Sequence, residues 1–151
     1  VIMLESRKIC TLEVELADPY VISHHGGQRR FISIAGGRVT GDHLRGEILP
    51  VGEDLQWVRP DGVVELDIRA LLRIESGSLV YLSGTGFRHG PPDVLQRIAA
   101  GDVVAATEYY FRECLVFETD DPQLDWLTKA ITIGKGHRLK NSARIEVFEV
   151  K

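Results

Sequence analysis

Three features of the sequence predict an all-β fold, mainly antiparallel and closed into a barrel, with one or two short helices. The first is strict alternation. From Val64 to Ile74, the apolar residues Val64, Leu66, Ile68, Ala70, Leu72 and Ile74 are separated by Glu65, Asp67, Arg69, Leu71 and Arg73. A period of two places successive side chains on opposite faces of a strand. The second is punctuation: glycine-rich turns divide short strand-like runs at fairly regular spacing, as in sandwiches and barrels. The third is the scarcity of helix between strands, which argues against a parallel βαβ sheet. A barrel fits best, because closure removes exposed edges and frequent glycines allow strong coiling.

The totals bound the rest. The 151 residues read as a single domain, 1–151, long enough to bury a core without staples. The net charge of −4 leaves no basic surplus for displacing counterions, so nucleic acid is not an expected partner. No stretch approaches the roughly 18 consecutive apolar residues of a membrane span, and the first residues lack the order of a secretory signal. A cytoplasmic location is the expectation. Cys10 and Cys114 form no Cys-x-x-Cys pair; they read as two free, buried thiols.

In chain order, residues 9–16 alternate as a half-buried strand, with Cys10, Leu12, Val14 and Leu16 on one side. Asp18-Pro19 breaks it, and Ser23 to Gly27 reads as a loop. Arg30 to Ile34 is a strand ended by Ala35-Gly36-Gly37. Arg38 to Gly41 and Leu44 to Leu49 are two more. Residues 53–58 lead into Arg59-Pro60-Asp61-Gly62, a turn by composition. Residues 64–74 and 79–88 form a hairpin, with Ser76-Gly77 as a two-residue loop. That loop sets Arg69 opposite Gly84, Asp67 opposite Gly86 and Glu65 opposite Arg88. The prolines at 91 and 92 and Gly101 bound a short helix with Val94, Leu95 and Ile98 as its apolar stripe. Residues 107–117 are a strand rich in aromatic and β-branched residues. Residues 123–128 form one helical turn, and 129–134 and 143–150 are the closing strands.

Several of these segments together resemble a family of proteins of unknown function, domain-of-unknown-function family 3237 (uncharacterised protein family 0311). The matching pieces include Ile34 to Gly37, Arg45 to Pro50, Leu66-Asp67-Ile68-Arg69, Gly84 to Gly90, Tyr109-Tyr110-Phe111-Arg112 and Phe117-Glu118-Thr119. The resemblance implies a small β-barrel, similar in outline to allene oxide cyclase-type and calycin-like barrels, with activity largely unassigned. Two positions depart from the family's usual pattern: Ala70 and Leu55 stand where aromatics are usual.

Four groups of residues could carry chemistry. The charged face of the hairpin holds Glu65, Asp67 and Arg69, with Arg88 on the second strand. Should it line the lumen, Asp67 is a general base tuned by Arg69, and the arginines hold a carboxylate or enolate. The opposite parity would turn these charges to water or to a subunit partner; glycines opposite Arg69 and Asp67 favour the lumen. Next, either Tyr110 and Arg112 or Tyr109 and Phe111 face inward; the first pair offers a phenol donor beside a guanidinium. Asp54, Trp57 and Arg59 are read on a connection between strands, where sites often lie; turn chemistry and core packing are their structural alternatives. Among the histidines, His89 is the best acid–base candidate, and His24-His25 is a weak metal motif. With Tyr81, the residues Asp54, Trp57, Arg59, Arg88 and His89 make the expected ligand-binding set.

The functional expectation is an enzyme without a cofactor or metal: an isomerase, cyclase or lyase acting on a small carbonyl or carboxylate metabolite in the lumen. Asp67 would be the base, and Arg69, Arg112 and Tyr110 would hold the developing anion. The alternatives are a calycin-like binding protein for a small apolar or aromatic ligand, and an oligomerisation module. A homodimer or higher homo-oligomer is expected.

Overall fold

The alternation becomes strand throughout, and the strands run longer than the sequence suggests. The computed structural model describes residues 1–151. Its strands are β1 (Ser6–Leu16), β2 (Tyr20–His24), β3 (Gly27–Thr40), β4 (Gly46–Val58), β5 (Val64–Ile74), β6 (Leu79–His89), β7 (Tyr110–Glu118), β8 (Ile131–Arg138) and β9 (Ser142–Val150). Helix α1 (Pro92–Ala99) lies between β6 and β7, and 3₁₀ segments cover Ala106–Glu108 and Pro122–Lys129. Neighbours run β1-β9-β8-β7-β6-β5-β4-β3-β2, and β1 also pairs with β3. Eight strands therefore close an antiparallel barrel, and β2 is an extra strand paired with the first half of β3.

Two boundaries differ from the sequence reading for a shared reason. Gly36 and Gly37 do not end β3. They take φ of +142° and +148° inside it, at an irregularity where the pairing with β4 shifts register. The bend lets β3 turn from β4 toward β1, as β-bulges do. Asp54 and Trp57 likewise sit within β4 rather than on a connection, and Gly52, at φ +97°, marks a second shift in register on that strand.

The hairpin turn has three residues, not two. Ile74 N–H donates to Ser78 O (3.0 Å), leaving Glu75-Ser76-Gly77 as the loop, and Gly77 has φ +89°. A three-residue loop ending in a left-handed glycine is a common hairpin connection. The extra residue moves the register by one. Gly84 faces Ile68 and Gly86 faces Leu66, while Asp67 faces Thr85 and Arg69 faces Ser83. The glycines thus lie over the apolar parity.

That parity is the inside of the barrel. Val64, Leu66, Ile68, Ala70 and Leu72 are all buried. The interior holds two apolar clusters. The larger fills one end, from Ile9, Leu12 and Val39 through Leu72, Val80 and Leu82 to Phe117 and Leu127. The smaller lies under α1 and includes Val64, Leu66, Val94, Val104, Tyr109 and Phe111. One end is therefore a packed core; the other is where polar residues enter the lumen.

Gly86 is set by close approach. A Cβ there would run into the carbonyl oxygen of Arg112 and the Cα of Glu113, both backbone atoms of β7. At Gly134 the nearest atoms are side-chain carbons of Ile145 (2.8 Å) and Leu115 (3.2 Å), which can yield. Gly86→Ala is expected to destabilise by about 1–3 kcal/mol and Gly134→Ala by less. Urea unfolding of the two variants checks the order; equal losses would contradict this account of the β6–β7 contact.

Candidate functional site

Charged residues on an apolar parity are the signal for a site, and the lumen holds several. On β7, Phe111, Glu113, Leu115 and Phe117 are buried in alternation, so Glu113 stands where a hydrophobic residue would be expected. On β6, Arg88 continues the inward series Val80, Leu82, Gly84, Gly86 and is only 5% exposed. On β4, Asp54 and Gln56 face inward. Arg30, Gln56, Leu66, Gly86, Glu113 and Gly134 form one cross-strand row around the barrel. Gly86 and Gly134 flank Glu113 without side chains of their own, so the neighbouring strands and the side chains of Ile145 and Leu115 close in around it.

The hydrogen bonding is incomplete in a way that native interiors seldom tolerate. Gln56 Nε2 donates to Asp54 Oδ2 (2.8 Å), yet Asp54 Oδ1, Gln56 Oε1 and Arg88 Nε are buried without a partner. Arg30 donates only to Gln28 Oε1 (3.2 Å) and Arg138 Nη1 only to the Ser142 carbonyl (3.0 Å). None of Arg30, Arg88 and Arg138 has an acidic group in ion-pair range. The Tyr109 hydroxyl accepts from the backbone N–H of Arg138 (2.7 Å), which leaves its own proton free to donate.

Burial sets the charge states. Desolvation, with the nearby Asp54 carboxyl, raises the Glu113 carboxyl to about 8 against the pull of Arg88. Glu113 is therefore a neutral acid at pH 7. Desolvation also raises Asp54, opposed by its bond from Gln56 and by Arg88 and Arg138. Desolvation lowers Arg88 to about 10 and also lowers Arg138 and Arg30; all three stay charged. Burial thus holds both carboxyls above their ordinary values, and a raised carboxyl can serve as a general acid.

Part of the polar layer reaches solvent through a cavity of about 390 Å³ at the barrel mouth, whose lining includes neither Asp54 nor Glu113. Arg30, Gln56, Arg88 and Arg138 line its depth, while Leu95 and Ile98 of α1 and Lys140 form its rim. A volume of this order suits a small metabolite. No three His, Cys, Asp or Glu side chains converge as metal ligands.

The other expected site residues lie elsewhere. Asp67 and Arg69 point outward and form a loose, exposed pair (3.8 Å); Leu66, Ile68 and Ala70 take the inward parity of β5, so the lumen mechanism built on Asp67 and Arg69 does not hold. Tyr110 and Arg112 also face out, because Phe111 takes the inward parity of β7. Arg112 stacks over Tyr110 (5.5 Å), and His89 stacks on the same ring (4.7 Å). Trp57 is on the outer face, covering Gly27 and flanked by His24 and Arg29. Arg59 bonds to Asp61 in the exposed turn (3.1 Å), and Tyr81 lies half-buried on the outside. Cys10 is buried, its thiol raised to about 12 by burial, but Cys114 is exposed on the outer parity. Of the expected set, Asp54 and Arg88 alone belong to the lumen layer; Arg30, Gln56, Glu113 and Arg138 were missed.

The residues 5–150 match the family described as a protein of unknown function, DUF3237. The chain belongs to this family. An uncharacterised UPF0311 protein of Rhodopseudomonas palustris (strain TIE-1) is 34% identical over 148 residues, 97% of each chain. The crystal structure of a conserved protein of unknown function from Rhodopseudomonas palustris is 32% identical, with full coverage of both chains and a TM-score of 0.96. A β-barrel-like protein from Acinetobacter baumannii, also 32% identical, has a TM-score of 0.86 over 100% of this chain and 98% of that one. The family thus carries the barrel but no assigned activity.

Glu113 holds its proton to a higher pH in the folded barrel than the ordinary carboxyl value of 4.5. The native state then binds more protons than the unfolded chain, so this group costs stability as pH rises from about 4.5 to about 8. The loss is on the order of a few kcal/mol across that window. Glu113→Gln removes it, and unfolding curves recorded from pH 5 to 9 should diverge, the variant gaining on the wild type toward alkaline pH. Parallel curves would mean that Glu113 ionises normally.

Proposed function

We propose that the barrel mouth binds a small carboxylate metabolite that also carries a carbonyl, held by Arg88 with Arg30 and Arg138, and that its carbonyl end reaches past the cavity lining to Asp54 and Glu113, which move protons on it, as an isomerase, cyclase or lyase would. One observation carries this reading: Arg88 is buried, lines the mouth cavity and has no hydrogen-bond or ion-pair partner in the chain. An unpaired buried charge is costly, and a carboxylate is the group that satisfies a guanidinium best. The charge count points the same way. Three arginines face this layer while Glu113 is neutral, which leaves at most Asp54 to balance them.

Each role follows from protonation state. In its ionised form, which Arg88 and Arg138 favour against burial, Asp54 takes a proton from the carbon beside the carbonyl, breaking a C–H bond. Protonated Glu113 gives its proton to the carbonyl oxygen as charge builds there, forming an O–H bond and an enol. Return of the Asp54 proton to a different carbon, as Glu113 takes back the enol O–H proton and the carbonyl re-forms, completes an isomerisation. The arginines hold the carboxylate and stabilise the enolate, and the Tyr109 hydroxyl is a further donor.

Calorimetry with a panel of small 2-oxo and 3-oxo acids tests binding; NMR of deuterium uptake at the adjacent carbon tests proton transfer. Arg88→Met should weaken binding of the acid that binds by on the order of 100-fold without lowering the melting temperature, since it removes a buried unpaired charge. Asp54→Asn should keep affinity within a few-fold and stop the exchange. Unchanged affinity in Arg88→Met overturns the reading. Binding without exchange in the wild type retires the chemistry and leaves a binding protein.

A further inference from the structure

The outer face of the barrel carries a groove of about 730 Å³, distinct from the mouth cavity, across β4 to β8. Its floor is low because Thr85, Gly86 and Cys114 are small, and long side chains stand around them. Phe87 and Tyr110 are 49% and 46% exposed on this face. Arg112 has no acidic partner; its Nη1 donates to the carbonyl of Phe111 (2.9 Å). Glu65 reaches only Arg59, at 4.0 Å.

The order of these residues is the informative part. One cross-strand row reads Trp57, Glu65, Phe87, Arg112, Lys135 on β4 to β8. About Phe87 it is antisymmetric in charge: an acid on one side, a base on the other, then an aromatic ring against a cation. The next row reads Leu55, Asp67, Thr85, Cys114, Ile133, with apolar residues at both ends.

We infer that this face binds a second copy of the same chain about a two-fold axis running along β6. Such an axis exchanges the two sides of β6. It sets Glu65 of each copy against Arg112 of the other, twice, and brings Trp57, whose ring already carries Arg29 (5.4 Å), beside Lys135. Leu55 meets Ile133, and Phe87 and Thr85 each meet their own equivalents on the axis. A two-fold axis across the strands is disfavoured, because it sets Glu65 against the other copy's Asp67, a like-charge pair. Charge order thus selects both the partner and the axis, and the exposed aromatics supply the apolar burial such contacts need. This inference does not depend on the lumen chemistry.

Sedimentation of the full chain at micromolar concentration is expected to give a dimer that weakens with added salt. Glu65→Arg and Arg112→Glu each place two like-charge contacts in the interface and should raise the dissociation constant at least about 100-fold. The double variant exchanges the signs and should restore the dimer. In a Cys114→Ser background, Thr85→Cys should be cross-linked as a dimer by a short bismaleimide, because position 85 lies at the axis and stacked sheets stand about 10 Å apart, beyond the reach of a disulfide. All of these positions are on the outer face of the barrel, so a native circular dichroism spectrum is expected for each. A monomeric wild type, a three-fold or other ring, a double variant that stays monomeric, or no cross-link at position 85 would each overturn the proposal.

Discussion

The closing seam between β1 and β3 is the constraint on which the remainder depends. Eight strands enclose a lumen only because Val14 pairs with Gly37 and Leu12 with Val39. The approach is close enough that a Cβ on Gly37 would strike the Glu13 carbonyl. Closure is what excludes water. Without it, Glu113 would be an ordinary surface carboxylate and Arg88 an ordinary solvated cation. With it, burial raises the acid to about 8 and lowers the base to about 10. The charge pattern that supports the proposed chemistry is therefore a consequence of topology as much as of residue type.

The same residue types do different things on the two sides of the wall. Asp67 and Arg69 lie 3.8 Å apart with side chains 38% and 61% exposed, so solvent screens them and their pairing is worth little. Asp54 and Arg88 lie only a few residues away along the same sheet, yet each keeps a buried polar atom without a partner. Identity and spacing alone could not distinguish these pairs; the face they occupy does.

That is also where reading the sequence succeeded and where it stopped. Strand alternation was legible because Val64 to Leu72 is a clean period of two, and the glycines and aromatics pointed to a closed antiparallel barrel. The lumen was not legible through the hairpin, because a two-residue and a three-residue loop fit the segment Glu75-Ser76-Gly77-Ser78 equally well, and one residue of register moves every glycine to the other face. Glu113 and Arg88 could have been found without the hairpin. Each interrupts an apolar parity within its own strand, Phe111 to Phe117 on β7 and Val80 to Arg88 on β6. Arg30 and Arg138 had no such signal. Arg138 follows Gly134 and Gly136 on β8, where the inward parity is too bare to read as apolar.

The two faces are not independent, and Gly86 joins them. Inside, its missing side chain lets the β7 backbone at Glu113 come close; outside, it is part of the groove floor between Thr85 and Phe87. The inner row Leu66, Gly86, Glu113 is one residue from the outer row Glu65, Phe87, Arg112 on each of the same three strands. Any side chain at position 86 must displace the β7 backbone at Arg112 and Glu113, and so moves a lumen acid and a groove cation together. Substitutions that separate lumen from groove must therefore fall on residues whose side chains reach one face only. Arg88 and Asp54 meet that condition on the inside, and Glu65 and Thr85 on the outside.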